Sequence, residues 1–282
     1  MDRSPRTFLL FFVLGIFLLP QISFAHQPRI PDGTVINVID PEVSKAYYTQ
    51  LSGEPHVYRI VSDKSFALYV NVLVPDIAGQ KKDVTAVILK DGNILSVLDG
   101  TTFTWTQFWE PFGYDMYWMG PEYKTQAEAG KYEIRVSSTN NDSKYSLAIG
   151  EKENFDLKES VNALYLVPKI KRDFFNESPA NFIFSFLGYG YVGIMFVLAF
   201  VFGFIYRFAM KKFAKNSSHG LGKNIGKKGR LIRAGAGLVL FAFAIMTTWN
   251  PIILFFAGFC FFESIFSWCG VYAALGKNTC PV

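Results

Sequence analysis

From Phe182 to Tyr206 the chain reads FIFSFLGYGYVGIMFVLAFVFGFIY, without one charged side chain. A helix of that length crosses the ~30 Å hydrocarbon core of a bilayer with some tilt. Inside lipid only a helix or a closed barrel satisfies its own backbone, so this run fixes its conformation and cuts the chain in two. We expect a transmembrane helix over 181–206. Arg207, Lys211, Lys212 and Lys215 follow at once.

The two sides differ in charge. Residues 26–178 carry 16 Lys/Arg and 21 Asp/Glu, whereas residues 207–233 carry nine Lys/Arg and no acid. A basic segment between apolar stretches reads as a cytoplasmic linker under the positive-inside rule. It has neither an aromatic platform nor a recognition motif for nucleic acid, so no nucleic-acid partner is expected. At the other end, MDRSPRTFLLFFVLGIFLLPQISFA (1–25) has the parts of a secretory signal. Arg3 and Arg6 start it, Phe8–Leu19 form its apolar middle, and Ser23-Phe24-Ala25 offers small residues for cleavage. The alternative is an uncleaved anchor. Export of the N-terminal part agrees with the basic linker: 26–178 outside, 207–233 in the cytoplasm.

Two more apolar runs follow, Ala234–Trp249 and Ile252–Leu275, separated by Asn250-Pro251. Proline cannot continue a helix it interrupts, so the spacing predicts a helical hairpin over 234–275 with its tail on the cytoplasmic side. Gly276 reads as the C-cap of the last helix, which would put Cys269 in its last turns and Cys280 just beyond.

Residues 26–178 show short runs such as TVINVI (34–39), FALYVNVLV (66–74) and KYEIRV (131–136), parted by turn signals such as Lys90-Asp91-Gly92-Asn93. Tyr132, Ile134 and Val136 alternate as a half-buried strand does. The fold class is therefore an exported all-β sandwich or jelly-roll domain plus an α-helical membrane region of one span and a two-helix hairpin. Asp40-Pro41 is read as opening a short helix. The domain holds no cysteine, so disulfides do not support it.

Its richest stretch is TFTWTQFWEPFGYDMYWMGPEY, 102–123. Trp105, Trp109, Glu110, Tyr114 and Trp118 form either a ligand surface or a long loop that buries its rings over one end of the sandwich. His26, exposed as a new N-terminus by cleavage, offers an amine and an imidazole; with His56 it forms a candidate copper site. The alternative is a loose terminus and a surface histidine. No G-x-S-x-G, H-E-x-x-H or Walker-type loop occurs, so no enzyme class is indicated and no cofactor is required.

Glu263 is the one acid in the last apolar run. Cys260, Glu263, Ser264 and Ser267 fall on one helical stripe, which must face another helix rather than lipid. Either it lines a polar path or it joins helices. Gly188, Gly190, Gly193, Gly235 and Gly237 would permit close contacts, including those of a homo-oligomer.

Asn224 and Gly226, the basic Arg230 and Arg233, then Cys269-Gly270-Val271-Tyr272, Leu275-Gly276 and Thr279-Cys280-Pro281 are arranged in a recognisable order. In these motifs residues 224–282 resemble the YgaP-like transmembrane domain of bacterial inner-membrane proteins. Gly270 departs from the family's usual proline. The resemblance implies a bacterial inner-membrane location. Some members join this hairpin to a rhodanese domain, which implies thiol or sulfur traffic; no such domain is visible here. Cys269 and Cys280 then read as sulfur or redox carriers aided by Lys277, or as small packing residues at a helix end. Three functions are carried forward. The chain is a membrane-anchored binding protein with a periplasmic ligand or partner, a thiol-dependent membrane component, or a copper-binding module.

Overall fold

The computed structural model describes residues 26–213 and 222–280. Residues 1–25, expected as a signal, and 214–221 of the expected linker, including His219, lie outside the described residues. The chain divides into two compact units, Met1–Glu159 and Ser160–Val282.

The first unit is a two-sheet sandwich, as the alternating runs require. One sheet has the order β1 (Gln27–Arg29), β3 (Lys45–Gln50), β11 (Lys144–Ile149), β5 (Phe66–Pro75), β9 (Asp115–Ala127) and β8 (Thr106–Glu110). The other has the order β2 (Val35–Asn37), β4 (His56–Ser62), β10 (Gly130–Ser137), β6 (Thr85–Lys90) and β7 (Asn93–Leu98). Most neighbours are antiparallel; β1 on β3 and β2 on β4 are parallel. Every second residue faces inward. Leu68, Val70, Val72 and Val74 of β5 meet Tyr132, Ile134 and Val136 of β10, and all are buried.

Two expectations in this unit are overturned. Asp40-Pro41 opens no helix: Asp40 takes a left-handed φ of 50° and the chain turns into β3. The Lys45 ammonium holds that turn by donating to the carbonyls of Ile39 and Asp40, both at 2.8 Å. KAYYTQ pairs with strands on both sides, and tertiary pairing outweighs the local helix signal. Residues 102–123 are not mainly a loop either. Most of them build the β8–β9 hairpin, paired from Thr106↔Met119 to Glu110↔Asp115. The Gly120-Pro121 pair hid the strand, which bulges opposite Asn71 and Leu73 of β5.

Helix α1 (Leu157–Asp173) begins at the end of the first unit and runs into the second. A 3₁₀ turn (Pro179–Phe184) leads into α2 (Phe186–Phe213). Then come α3 (Lys227–Met246), α4 (Pro251–Phe266) and the short α5 (Gly270–Ala274). Among the described residues two helices, α2 over Phe186–Met210 and α3, are long and apolar enough to cross a membrane; α4 is apolar but has 16 residues. Helix α3 starts at Lys227, so Arg230 and Arg233, expected in the linker, occupy its first turns. Asn250 caps α4 by accepting the Ile252 N–H at 2.8 Å, with Pro251 in the first turn, as the Asn-Pro signal requires.

The ends of α2 meet the ends of the hairpin. Near its start, Trp249 of the α3–α4 turn packs edge-on against Phe182 and donates its indole N–H to the Pro179 carbonyl at 3.0 Å. Near its other end, Tyr206 packs edge-on against Trp268, with Arg207 over the same indole. Of the five glycines read as contact points, Gly237 lies against α4 and Gly188 against the Phe182 carbonyl. Gly190, Gly193 and Gly235 face open space.

Candidate functional site

The stripe on α4 is a seam between helices. Arg233 donates from Nε to Glu263 Oε2 at 2.8 Å, with 17% and 11% of the two side chains exposed. A lone carboxylate in an apolar helix is costly to bury; the guanidinium supplies the compensating charge. One turn on, Arg230 and Ser264 exchange two bonds: Arg230 Nε donates to the Ser264 carbonyl, and Ser264 Oγ to that of Arg230. Cys260 lies beside Gly237, where an added Cβ would come within 3.2 Å of it. The Ser267 carbonyl accepts the N–H groups of Asn224 and Ile225.

The last helix does not continue to Leu275. Ser267 takes a left-handed conformation, φ 54° and ψ 34°, and ends α4. Cys269 therefore lies outside the last turns of a long helix, in an extended conformation just before α5. Trp268 donates its N–H to the Glu263 carbonyl, and Gly270 donates to Glu263 Oε1. One residue thus binds Arg233 and anchors the break.

Asn224 holds the same segment from the other side. Its amide nitrogen donates to the Cys269 carbonyl at 2.9 Å, and its amide oxygen accepts the Cys269 N–H at 2.7 Å. This buried amide forms with Cys269 the two-bond exchange that one strand forms with another. The Asn224 carbonyl also accepts the Thr279 N–H, so the tail folds back over it. Cys280 follows, half-buried, with its N–H on Asn278 Oδ1. Cys260, Cys269 and Cys280 are all free thiols.

Cys269 is buried, and the Glu263 carboxylate links its segment to Arg233: Oε1 accepts the Gly270 N–H at 3.3 Å and Oε2 accepts from Arg233 Nε at 2.8 Å. Arg233 also stands over the Tyr272 ring, 5.0 Å from its centroid. Lys277 lies over the same ring, with its ammonium 5.2 Å from the centroid. Arg233 is thus the cation that Glu263 brings to the Cys269 segment. Arg233 was legible in principle: the lone acid Glu263 needs a cation on a neighbouring helix. The role of Asn224 has no comparable signal in its spacing.

The aromatic residues of the first unit divide. Trp105 and Trp118 pack against the core, donating to the Gly100 carbonyl at 2.8 Å and to Asp76 Oδ1 at 2.9 Å. Trp109 and Tyr114 stand exposed at the hairpin tip, edge to face at 4.4 Å. Glu110 folds onto its own turn and accepts the N–H groups of Phe112 and Gly113.

The histidines are not brought together. His26 bonds Ser44, just before β3, whereas His56 bonds the Tyr145 hydroxyl at 2.8 Å. Tyr145 pairs with Thr49, so the two partners lie five residues apart along β3, about 17 Å. Burial lowers the pKa of both rings. Among the described residues no group of three or more His, Cys, Asp or Glu could hold a metal ion.

No curated protein matches the chain in sequence. Among solved structures, similarity extends to the pre-peptidase C-terminal domain of collagenase from Bacillus anthracis. There the identity is 11% and the TM-score 0.25, over 44% of this chain and 95% of that one. It also extends to CorA, a surface-associated copper-binding protein of Methylomicrobium album BG8, at 8% identity and TM-score 0.23, over 44% and 100%. A β-glucosidase from Paenibacillus barengoltzii is similar at 11% identity and TM-score 0.22, over 44% of this chain and 13% of that one. Likenesses this slight assign neither fold nor function. Residues 221–282, which hold the whole seam from Asn224 to Cys280, match the family model of the inner membrane protein YgaP-like transmembrane domain.

Proposed function

We propose that this chain is a thiol-dependent membrane component whose reacting group is Cys269. One observation carries the reading: the motif residues converge on the Cys269 segment, with Asn224 fixing its backbone and Glu263, paired with Arg233, binding the next N–H. The chemistry that suits this arrangement is sulfur transfer. The Cys269 thiolate attacks the outer sulfur of a persulfide donor; the donor's S–S bond breaks, the donor leaves as a thiolate, and Cys269 carries the persulfide. The charge asymmetry supports a topology with 26–178 outside a bacterial inner membrane and the basic end, Cys269 and the tail in the cytoplasm. Thiols stay reduced there.

The test treats the full chain in detergent with inorganic polysulfide and maps added sulfur by mass spectrometry. Addition of one sulfur atom at Cys269, lost in Arg233→Gln, is expected. Addition at Cys280 alone, or none, removes the reading. Impermeant thiol labelling of Cys280 only after lysis of sealed spheroplasts supports the topology; labelling before lysis reverses it.

The exposed Trp109–Tyr114 pair favours a second reading, in which the sandwich binds a periplasmic ligand or protein partner. A photo-crosslinker at position 108 should give a product in whole cells that disappears with Trp109→Ala. A product that persists in that variant excludes the pair as its contact.

A further inference from the structure

Helix α2 lies outside the matched residues 221–282, yet it reaches the thiol segment. The contact is made by Tyr206. A Cβ added at Gly270 would stand 1.9 Å from Tyr206 Cε1, 2.8 Å from Cδ1 and 2.9 Å from Cζ. No side-chain shift of a few tenths of an ångström accommodates that, so Gly270 leaves the space the ring fills. The ring is held in turn. It stacks on Phe202 one turn back, at 5.9 Å and 14°, and meets Trp268 edge-on at 5.7 Å and 74°.

Cys269 thus sits between two residues, Trp268 and Gly270, that both pack against Tyr206. The same three-residue segment is also held by Asn224 at Cys269 and, at Gly270, by Glu263, which is paired with Arg233. The family-matched hairpin supplies the charged pair beside the segment; the additional span supplies the wall.

We propose that Tyr206 is a positioning residue for Cys269, through which α2 holds the Cys269 segment against the Glu263–Arg233 pair. The span that leads from the sandwich therefore sets the state of the thiol. Movement of α2 at its basic end would lift Tyr206 off Gly270 and release the segment from one side. This inference rests on Cys269 being the reacting group.

The test uses the full chain in detergent with Cys260→Ser and Cys280→Ser, which leaves Cys269 as the one thiol. Alkylation rates are compared for iodoacetate, which is anionic, and iodoacetamide, which is neutral. Their ratio reports the charge beside the sulfur, whereas loosened packing alone raises both rates together. Arg233→Gln should lower the ratio about fivefold, the scale of one charge interaction at close range in water. Tyr206→Ala should lower it comparably, and Tyr206→Phe should leave it unchanged. Gly270→Ala, which keeps the tyrosine but displaces it, should lower the ratio as well. The double variant Gly270→Ala, Tyr206→Ala should be no worse than either single change. An unchanged ratio in Tyr206→Ala and Gly270→Ala, with a fall in Arg233→Gln, overturns the inference and leaves the thiol reading standing. A thiol that neither reagent modifies, or a ratio indifferent to Arg233, removes the thiol reading and this inference with it.

Discussion

The sandwich and the membrane hairpin bury polar side chains in opposite ways. In the sandwich, His56, Tyr145 and Tyr58 form a neutral chain, Nδ1 to hydroxyl at 2.8 Å and hydroxyl to hydroxyl at 2.9 Å. Burial raises the pKa of both tyrosines and lowers that of the histidine, so every member stays uncharged near neutrality. In the hairpin the seam is ionic, Arg233 on Glu263, with the Gly270 N–H on the same carboxylate. Neutral polar groups need only a hydrogen-bond partner when buried. A buried charge needs its counter-charge as well, so removing one partner from each network should have unequal effects.

The largest effect is expected from Glu263→Ala. It leaves the Arg233 guanidinium without its carboxylate inside the helix pair and removes the acceptor for the Gly270 N–H. The loss should be about 3–5 kcal/mol in chemical denaturation of the full chain in micelles. Replacing both partners, Arg233→Met with Glu263→Met, should recover most of it, because the cost lies in the stranded charge. A double variant as unstable as the single would show that the seam depends on the pair's geometry rather than its charge balance.

The two regions also differed in how far the sequence disclosed them. Alternation in runs such as KYEIRV announces strands because period-two burial is written directly in residue type. The β8–β9 hairpin stayed hidden because Pro111, Gly113, Gly120 and Pro121 carry turn chemistry, yet β9 runs through the last two. The membrane helices were legible from apolar length alone. Their break at Ser267 was not, since a left-handed serine is stabilised by distant partners, Asn224 and the bonds to Glu263. The polar stripe of Cys260, Glu263, Ser264 and Ser267 followed from helical spacing. That it meets Arg230 and Arg233 depended on α3 starting at Lys227, inside what charge alone marked as linker. Helix α1 had no signal strong enough to separate it from the β domain. Tyr206 gave none for its place at Gly270, because side-chain contact across helices is not encoded by local spacing.

Breaking the neutral chain should cost less. Tyr145→Phe removes one hydroxyl and leaves both His56 Nδ1 and the Tyr58 hydroxyl short of a partner. We expect about 1–3 kcal/mol, read as lost amide-exchange protection in β4 and β11 of the full chain. Tyr58→Phe should cost less than Tyr145→Phe, since the His56–Tyr145 bond survives it. Equal costs would mean the chain does not act through its middle member.

Acid should reach the sandwich through the same chain. The folded-state pKa of His56 lies below the ordinary 6.5 because burial disfavours the imidazolium. As pH falls through 6.5 the unfolded chain binds its proton first, so the unfolded state is favoured. Stability present above pH 6.5 is therefore lost as pH falls towards the folded-state value. His26 shifts in the same direction, with Glu151 opposing its shift. Exchange protection of β4 should decline between pH 7 and pH 5, and His56→Gln should flatten the decline. A decline of the same slope in that variant would place the titration elsewhere.

The smallest effect sharpens the comparison most directly. Lys81 and Asp142 form an ion pair nearly as short as the buried one, 2.9 Å against 2.8 Å, with 46% and 53% of their side chains exposed. If contact distance decided the energy, Asp142→Ala would match Glu263→Ala. In water the charge left on Lys81 is resolvated at once, so the expected loss is about 0.2–1 kcal/mol. It should shrink further in high salt, where exposed charges are screened, whereas the Glu263→Ala loss should hardly change. Both are measured by denaturation of the full chain at low and high ionic strength. A salt-insensitive loss at Asp142 would place that carboxylate in a drier setting than its exposure indicates. A salt-sensitive loss at Glu263 would mean that water and ions reach the seam, and the contrast between the two regions would then lie in packing rather than in dielectric.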